Sequence, residues 1–166
     1  MPVSDQGVCL DRYMLVPRTL IFLSLGNKTL LLKGAKNKRL WSGLYNGIGG
    51  HVEQGEDILA AAHRELLEET GLISSNLWLC GIVTVDTQTN PGVCIFIFRG
   101  ESFGGELELS TEGSLEWVEL SDIPHLPLVA DLPILLPKIL VIKYGEPPFL
   151  AHSRYDEIGK LILTFG

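Results

Sequence analysis

Three glutamates, Glu65, Glu68 and Glu69, crowd the end of the stretch RELLEETGL, residues 64–72. The stretch has the pattern of the last turns of a helix with Thr70-Gly71 as its stop, and spacings of three and four put these carboxylates on neighbouring surface rows. Each like-charge pair costs about 0.2–0.5 kcal/mol in an isolated helix. Acids beside the negative end of the helix dipole add roughly 0.3–1 kcal/mol each. Arg64, four residues before Glu68, offsets part of that cost. A solvated acidic face is one account of such a cluster. The other is a site for a hard divalent cation, because Mg²⁺ binds through a few carboxylates, several waters and the phosphates of a substrate.

The flanking sequence supplies the elements that must position this face. DILAAAHRELLEE reads as a helix of roughly three to four turns, with Ile58, Leu59, Ala62 and Leu66 as its apolar side. Before it, LYNGIGGHVEQGE (44–56) combines a short strand with a loop in which Gly47, Gly49, Gly50 and Gly55 permit tight turns and close approach to a ligand. MLVPRTLIFLSL (14–25) and TLLLKG form a hairpin about Gly26-Asn27-Lys28. NLWLCGIVTVDT (76–87), GVCIFIFRGE (92–101) and SLEWVEL (114–120) are further strands, with an acidic loop before the last. A second helix opens near Asp131, with Pro133 in its first turn and Pro137 as a disturbance to a longer one. The tail SRYDEIGKLILTF reads as a hairpin that either extends a sheet or covers its edge. Strands mixed with helices predict an α/β or α+β sandwich rather than an all-β barrel.

A chain of 166 residues, 46% hydrophobic, is read as one globular domain over residues 1–166. Its net charge of -7 argues against a nucleic-acid polymer or an anionic membrane as partner. A small phosphorylated ligand remains compatible, since a bound cation reverses the local sign. Cys9, Cys80 and Cys94 are too few and too scattered for a disulfide framework and read as buried small residues. The start, MPVSDQGVCLDRY, has no secretory apolar core, and LPLVADLPILLPKILVI is broken by Asp131, prolines and Lys138. The expected compartment is the cytoplasm, with a monomer or homodimer as the expected assembly. Lys28, Lys33, Lys36, Lys38 and Arg39 form either a solvated cationic loop or a phosphate-facing one. His51, His63, His125 and His152 lack metal-site spacing and read as surface or partly buried side chains.

The glutamate cluster belongs to a longer pattern. Gly50 is followed after five residues by Glu56, and after seven more by Arg64-Glu65-Leu66, Glu68-Glu69 and Gly71-Leu72. In every defined position, residues 50–72 resemble the Nudix box. That resemblance implies an α/β/α sandwich with a mixed sheet and hydrolysis of nucleoside diphosphates linked to another moiety, with Mg²⁺ or Mn²⁺ as cofactor. It gives Glu65, Glu68 and Glu69, with the carbonyl of Gly49, the role of metal ligands. Arg64 and Glu56 take the role of structural braces, and Gly50 and Gly71 shape the loops. One of the carboxylates, or an acid on a distant loop, orients or deprotonates the attacking water. The wider chain is similar to the MutT-type branch and its oxidised-purine nucleoside triphosphatases. By that likeness Asn46 and Asp131 contact the base, although either residue also suits a local role, in a turn or as a helix N-cap. Lys36 is a candidate for substrate binding. Glu112 is the extra metal-site acid, with Glu116 as its alternative. The branch places an aromatic residue just before its base-recognising acid, where this chain has Val129, so Trp41 or Tyr45 is left to stack on the base.

The resemblance implies hydrolysis of a nucleoside triphosphate, ordinary or oxidised, to the monophosphate and pyrophosphate. ADP-ribose, nucleotide sugars and dinucleoside polyphosphates are the other substrates of this class. A Nudix-fold nucleotide sensor without turnover is the alternative, and retention of all three box glutamates favours the enzyme.

Overall fold

The computed structural model describes residues 2–7, 9–36, 41–74, 76–102, 104–110 and 112–166. Lys38 and Arg39 of the cationic loop lie outside the described residues. In chain order the strands and α-helices are β1 (Leu15–Leu25), β2 (Lys28–Gly34), β3 (Tyr45–Asn46), α1 (Ile58–Thr70), β4 (Trp78–Val85), β5 (Gly92–Glu101), β6 (Gly113–Glu119), α2 (Leu132–Val141), β7 (Phe149–Tyr155) and β8 (Leu161–Phe165).

All eight strands join one mixed sheet. At its centre β1 runs parallel to β5, and β5 is antiparallel to β4. Beyond β4 lies β7, parallel to it, and then β8 at the edge, so the tail hairpin extends the sheet. On the other side β2 is antiparallel to β1 at their shared turn, then pairs with β3, while its opposite flank carries β6. Between β1 and β2 the chain from Ile48 to His51 is held to β1 by two isolated antiparallel bridges, Ile21 to Ile48 and Arg18 to His51. The glycine loop is thereby fastened to the central strand.

Strand alternation distributes the apolar side chains between two layers. Ile21, Leu23 and Leu30 face α1 and pack with Ala62, Leu66 and Phe98. Phe22 and Leu31 face α2 and pack with Leu132, Leu135, Leu136 and Ile139. A helix on each side of the sheet gives the α/β/α sandwich. Helix α2 continues through Pro137, which the sequence marks as a disturbance. An interior proline costs about 3 kcal/mol, but burial of each Leu or Ile contributes about 1.5–3 kcal/mol, and this helix buries four of them. Packing therefore outweighs the missing N–H. No helix of the described residues is long and apolar enough to cross a membrane. Cys80 is buried as expected, Cys94 is half-buried, and Cys9 is exposed, contrary to the expectation for it.

Because Ile139 is fully buried between α2 and the sheet, Ile139→Ala is expected to lower the unfolding free energy by about 2–5 kcal/mol. Denaturant titration checks this, with the midpoint falling at constant slope; a loss below about 1 kcal/mol contradicts the packing described.

Candidate active site

Local capping fixes both ends of α1. Asp57 accepts from the N–H groups of Leu59 and Ala60, each at 2.9 Å. At the other end Gly71 adopts φ 72°, a left-handed cap that favours glycine, and its N–H donates to the Leu67 carbonyl at 2.8 Å. These caps set the rotation of the helix and hence the direction of its carboxylates.

Arg64 organises that face. Its Nε and Nη2 donate to Oε2 and Oε1 of Glu56 at 3.1 and 2.7 Å. Nη1 donates to Oε1 of Glu65 at 2.9 Å and to Oε2 of Glu68 at 3.2 Å. Nη2 also donates to the carbonyl of His51 at 3.0 Å. A guanidinium has five N–H groups in a rigid fork, and these bonds occupy all of them. The carboxylates raise the Arg64 pKa, with Glu56 the largest contributor, so the group stays charged. Arg64 in turn holds the Glu56 carboxyl below its ordinary range, aided by the N–H of Glu53.

Arg64 takes one oxygen from Glu65 and one from Glu68, and among the described residues no further hydrogen bond falls on their other oxygens. Glu65 lies against Gly50: a Cβ there would stand 2.5 Å from its Oε1. Glu69 reaches the N–H of Gly49, with Oε2 at 3.4 Å. Gly49 has φ 152° and passes so close to the Thr19 carbonyl that a side chain would overlap it. The carbonyls of Ile48 and Gly50 accept from Ile21 and Thr19 of β1. Alternation turns the carbonyl of Gly49, between them, away from that ladder.

Glu65, Glu68, Glu69, Gly49, Gly50, Arg64 and Glu56 thus form one constellation. Among the described residues no three His, Cys, Asp or Glu side chains enclose a metal site by themselves. The donor set still fits a hard cation that retains waters and takes substrate oxygens. Open carboxylate oxygens border a glycine cradle and a carbonyl outside the ladder. Glu112 comes from a different element: it lies where β6 begins beside β2, and its carbonyl accepts from Ala35 at 3.0 Å. Its alternative, Glu116, is committed elsewhere, accepting from the Tyr45 hydroxyl at 2.7 Å.

Asn46 and Asp131 are joined through backbone. Tyr45 donates to the carbonyl of Pro127 at 2.8 Å, and its own carbonyl accepts from Val129 at 3.1 Å. The segment entering α2 therefore runs beside β3, with Asp131 two residues past the last bond. Asn46 uses Oδ1 to accept from Gly47 at 2.8 Å, leaving its amide donors. Asp131 stands at the helix start, but its side chain makes no capping hydrogen bond. Burial pushes its carboxyl above the ordinary range, against the pull of nearby backbone N–H groups. Val129 is only 4% exposed, and Tyr45 is equally buried and bound to Glu116, which removes Tyr45 as a stacking surface. Trp41 is 48% exposed. The Tyr45–Glu116 bond has no signal in the sequence, because it depends on the register of β6 against β2. The histidines lie on or near the surface as expected.

Residues 14–139 match the model of the NUDIX domain. The oxidized purine nucleoside triphosphate hydrolase of Danio rerio is 33% identical over 152 residues, spanning 86% of this chain and 96% of that protein. Its Mus musculus counterpart by name is 34% identical over 140 residues, spanning 84% and 86%. The crystal structure of the mutator MutT protein from Bacillus halodurans superposes with a TM-score of 0.76 at 25% identity, covering 91% of this chain and 97% of that one.

The Glu56–Arg64 pair has a pH signature. A depressed folded-state pKa contributes stability that is present above the unfolded value, about 4.3, and is lost as pH falls through the folded value. Glu56→Gln is therefore expected to lower the thermal midpoint near neutrality, with the gap to wild type closing below about pH 4. Thermal unfolding of both proteins across that range checks it; a gap independent of pH removes the ion pair as its cause.

Proposed function

We propose, for a chain that belongs to the NUDIX domain family and is a Nudix hydrolase, that it converts a nucleoside triphosphate, ordinary or oxidised, to the monophosphate and pyrophosphate. Mg²⁺ or Mn²⁺ is the cofactor, and residues 1–166 act as one domain in the cytoplasm, as a monomer or homodimer. The observation that carries this reading is the Arg64 fork, which binds one oxygen each of Glu65 and Glu68 beside Gly49 and Gly50. The names of the Danio rerio and Mus musculus relatives support a nucleoside triphosphate over other linked diphosphates.

Glu65, Glu68, Glu69 and the Gly49 carbonyl would hold the cation, with Glu112 joining from the β6 side. When bound, it supplies positive charge against the pyrophosphate oxygens and makes water more acidic. The chain's own residues do the rest by positioning. Water adds to a phosphorus of the α–β bridge, the bridging P–O bond breaks, and its electron pair stays on the departing oxygen. A carboxylate of the glutamate set takes the water proton. Glu56 acts through Arg64, keeping the fork charged and fixed, and Gly50 leaves room for Glu65. Asn46 offers amide donors to a base, and Asp131, whose carboxyl burial pushes above its ordinary range, stands beside it as a second polar contact. Lys36 faces the phosphate chain.

The test is product analysis on a panel of ordinary and 8-oxo nucleoside triphosphates, ADP-ribose and a diadenosine polyphosphate with Mg²⁺. Turnover of triphosphates is expected, with Glu68→Gln and Glu69→Gln each lowering kcat about 100-fold or more, the scale of removing one preorganised electrostatic group. Near-wild-type turnover in both variants overturns the carboxylate assignment, and saturable binding without turnover in the wild type supports a sensor instead. Asn46→Ala and Asp131→Ala are expected to change the ratio of kcat/KM between bases by about tenfold with the metal requirement intact. Equal losses on every base exclude them from recognition.

A further inference from the structure

Strand β3 contains only Tyr45 and Asn46, and its ladder with β2 pairs Lys33 with Tyr45 and Leu32 with Asn46. Directly after it the chain leaves β2 and bridges to β1 at Ile48. A strand this much shorter than usual is weakly held by its own backbone, and a side chain gives it a second attachment. The Tyr45 ring reaches across β2, and its hydroxyl donates to Oε2 of Glu116 on β6 at 2.7 Å.

Register brings the two together. Lys33 stands opposite Tyr45 on one flank of β2 and opposite Ser114 on the other, and Glu116 is two residues past Ser114. Paired residues, and residues two apart on a strand, point to the same face. Tyr45, Lys33 and Glu116 therefore share the face covered by α2, where Tyr45 packs in one cluster with Leu31 and Val129. The Lys33 ammonium flanks the ring, with Nζ 5.1 Å from its centroid. The Glu116 carboxylate, with burial adding to it, pushes the Tyr45 hydroxyl above its ordinary range, and Lys33 acts in the opposite sense. At neutral pH the hydroxyl is a donor and the carboxylate its acceptor.

The backbone of Tyr45 ties down both candidate base contacts. Its N–H donates to the Pro127 carbonyl at 2.8 Å and its carbonyl accepts from Val129 at 3.1 Å, with Asp131 two residues further on. Asn46 is its neighbour in the chain, with Oδ1 turned back onto the N–H of Gly47 at 2.8 Å. No atom of this group takes part in the Arg64 fork.

We propose that Glu116 is a positioning residue for base selection: by holding the Tyr45 hydroxyl it fixes Asn46 and the segment leading to Asp131 against the sheet. The proposal rests on the base-contact reading of Asn46 and Asp131 and deepens it. Glu116 then touches neither base nor cation, which separates it from the metal-site role that its place before Trp117 suggests. Loss of the bond loosens both base contacts together and leaves the glutamate face of α1 as it was. A base that uses both contacts loses more than one that uses few, so the consequence is in the choice among bases.

The experiment measures kcat/KM with Mg²⁺ on guanine and adenine nucleoside triphosphates, ordinary and 8-oxo. Calorimetry adds Mn²⁺ affinity and, in a chelator, the affinities of the corresponding nucleoside monophosphates. Tyr45→Phe, Glu116→Ala, Glu116→Gln and the double variant Tyr45→Phe/Glu116→Ala are compared with wild type, beside Asn46→Ala and Asp131→Ala. Tyr45→Phe and Glu116→Ala are each expected to shift the ratio between bases by about threefold or more, through KM rather than kcat. The double variant is expected to shift it no further, because both substitutions remove the same bond. Glu116→Gln, whose amide oxygen still accepts, keeps most of the wild-type ratio, and Mn²⁺ affinity is unchanged throughout. An unshifted ratio in Tyr45→Phe, effects that add in the double variant, or Mn²⁺ weakened by Glu116→Gln overturns the proposal. A ratio shifted in Asn46→Ala and Asp131→Ala but not in Tyr45→Phe removes the positioning role alone. A ratio unshifted in Asn46→Ala and Asp131→Ala removes the base-contact reading and the proposal with it. Monophosphate binding needs no turnover, so a chain that hydrolyses no triphosphate is decided by the affinity ratios.

Discussion

The Arg64 guanidinium is the interaction on which the rest of this site depends. Three glutamates on one helix face repel one another, and without a counter-charge their side chains would scatter. Arg64 resolves this by spending its whole fork: two bonds on Glu56, one each on Glu65 and Glu68, and one on the His51 carbonyl. Lysine, a point charge on a flexible stem, could not satisfy that geometry. The same side chain therefore ties the helix to the preceding loop and aims the carboxylates.

The sheet supplies the other half of the constraint. Ile48 and Gly50, on either side of Gly49, are bonded through backbone to Ile21 and Thr19 of β1, so the cradle under Glu65 belongs to the most central part of the fold. On the edge of β3 away from β2 the Tyr45 backbone bonds Pro127 and Val129, bringing the start of α2 beside Asn46. Glu116 secures the Tyr45 hydroxyl across β2. The glutamates on α1, the glycines bridged to β1, Asn46 on β3 and Asp131 at the start of α2 are thus mounted on packed elements rather than on free loops, which favours precise geometry.

Features encoded at short range were legible in the sequence. The i, i+3 and i, i+4 spacings define the glutamate face, glycines mark the loop, and alternation in β1 separates Ile21 and Leu23 from Phe22. What depends on long-range register was not. The sequence leaves Tyr45 free to stack on a base, but Glu116 reaches it from 71 residues away. Asp131 looked like a helix cap, yet its side chain makes no capping bond, because neighbouring burial and not local turn chemistry sets its environment. Pro137 pointed to a disturbed helix, and four buried side chains overrode it. Glu112 was found by resemblance, and Lys36 by its place in a cationic segment of an acidic chain.

The central claim is that Arg64 aims the glutamates at a divalent cation, and the most direct measurement is Mn²⁺ binding by calorimetry to wild type and Arg64→Lys. Thermal unfolding would confirm that both are folded. Loss of the fork with the charge retained is predicted to weaken Mn²⁺ by about 10–100-fold, the usual scale for a residue that orients metal ligands. An Mn²⁺ affinity in Arg64→Lys equal to that of the wild type would contradict the account, because the carboxylates would then find their cation without the fork.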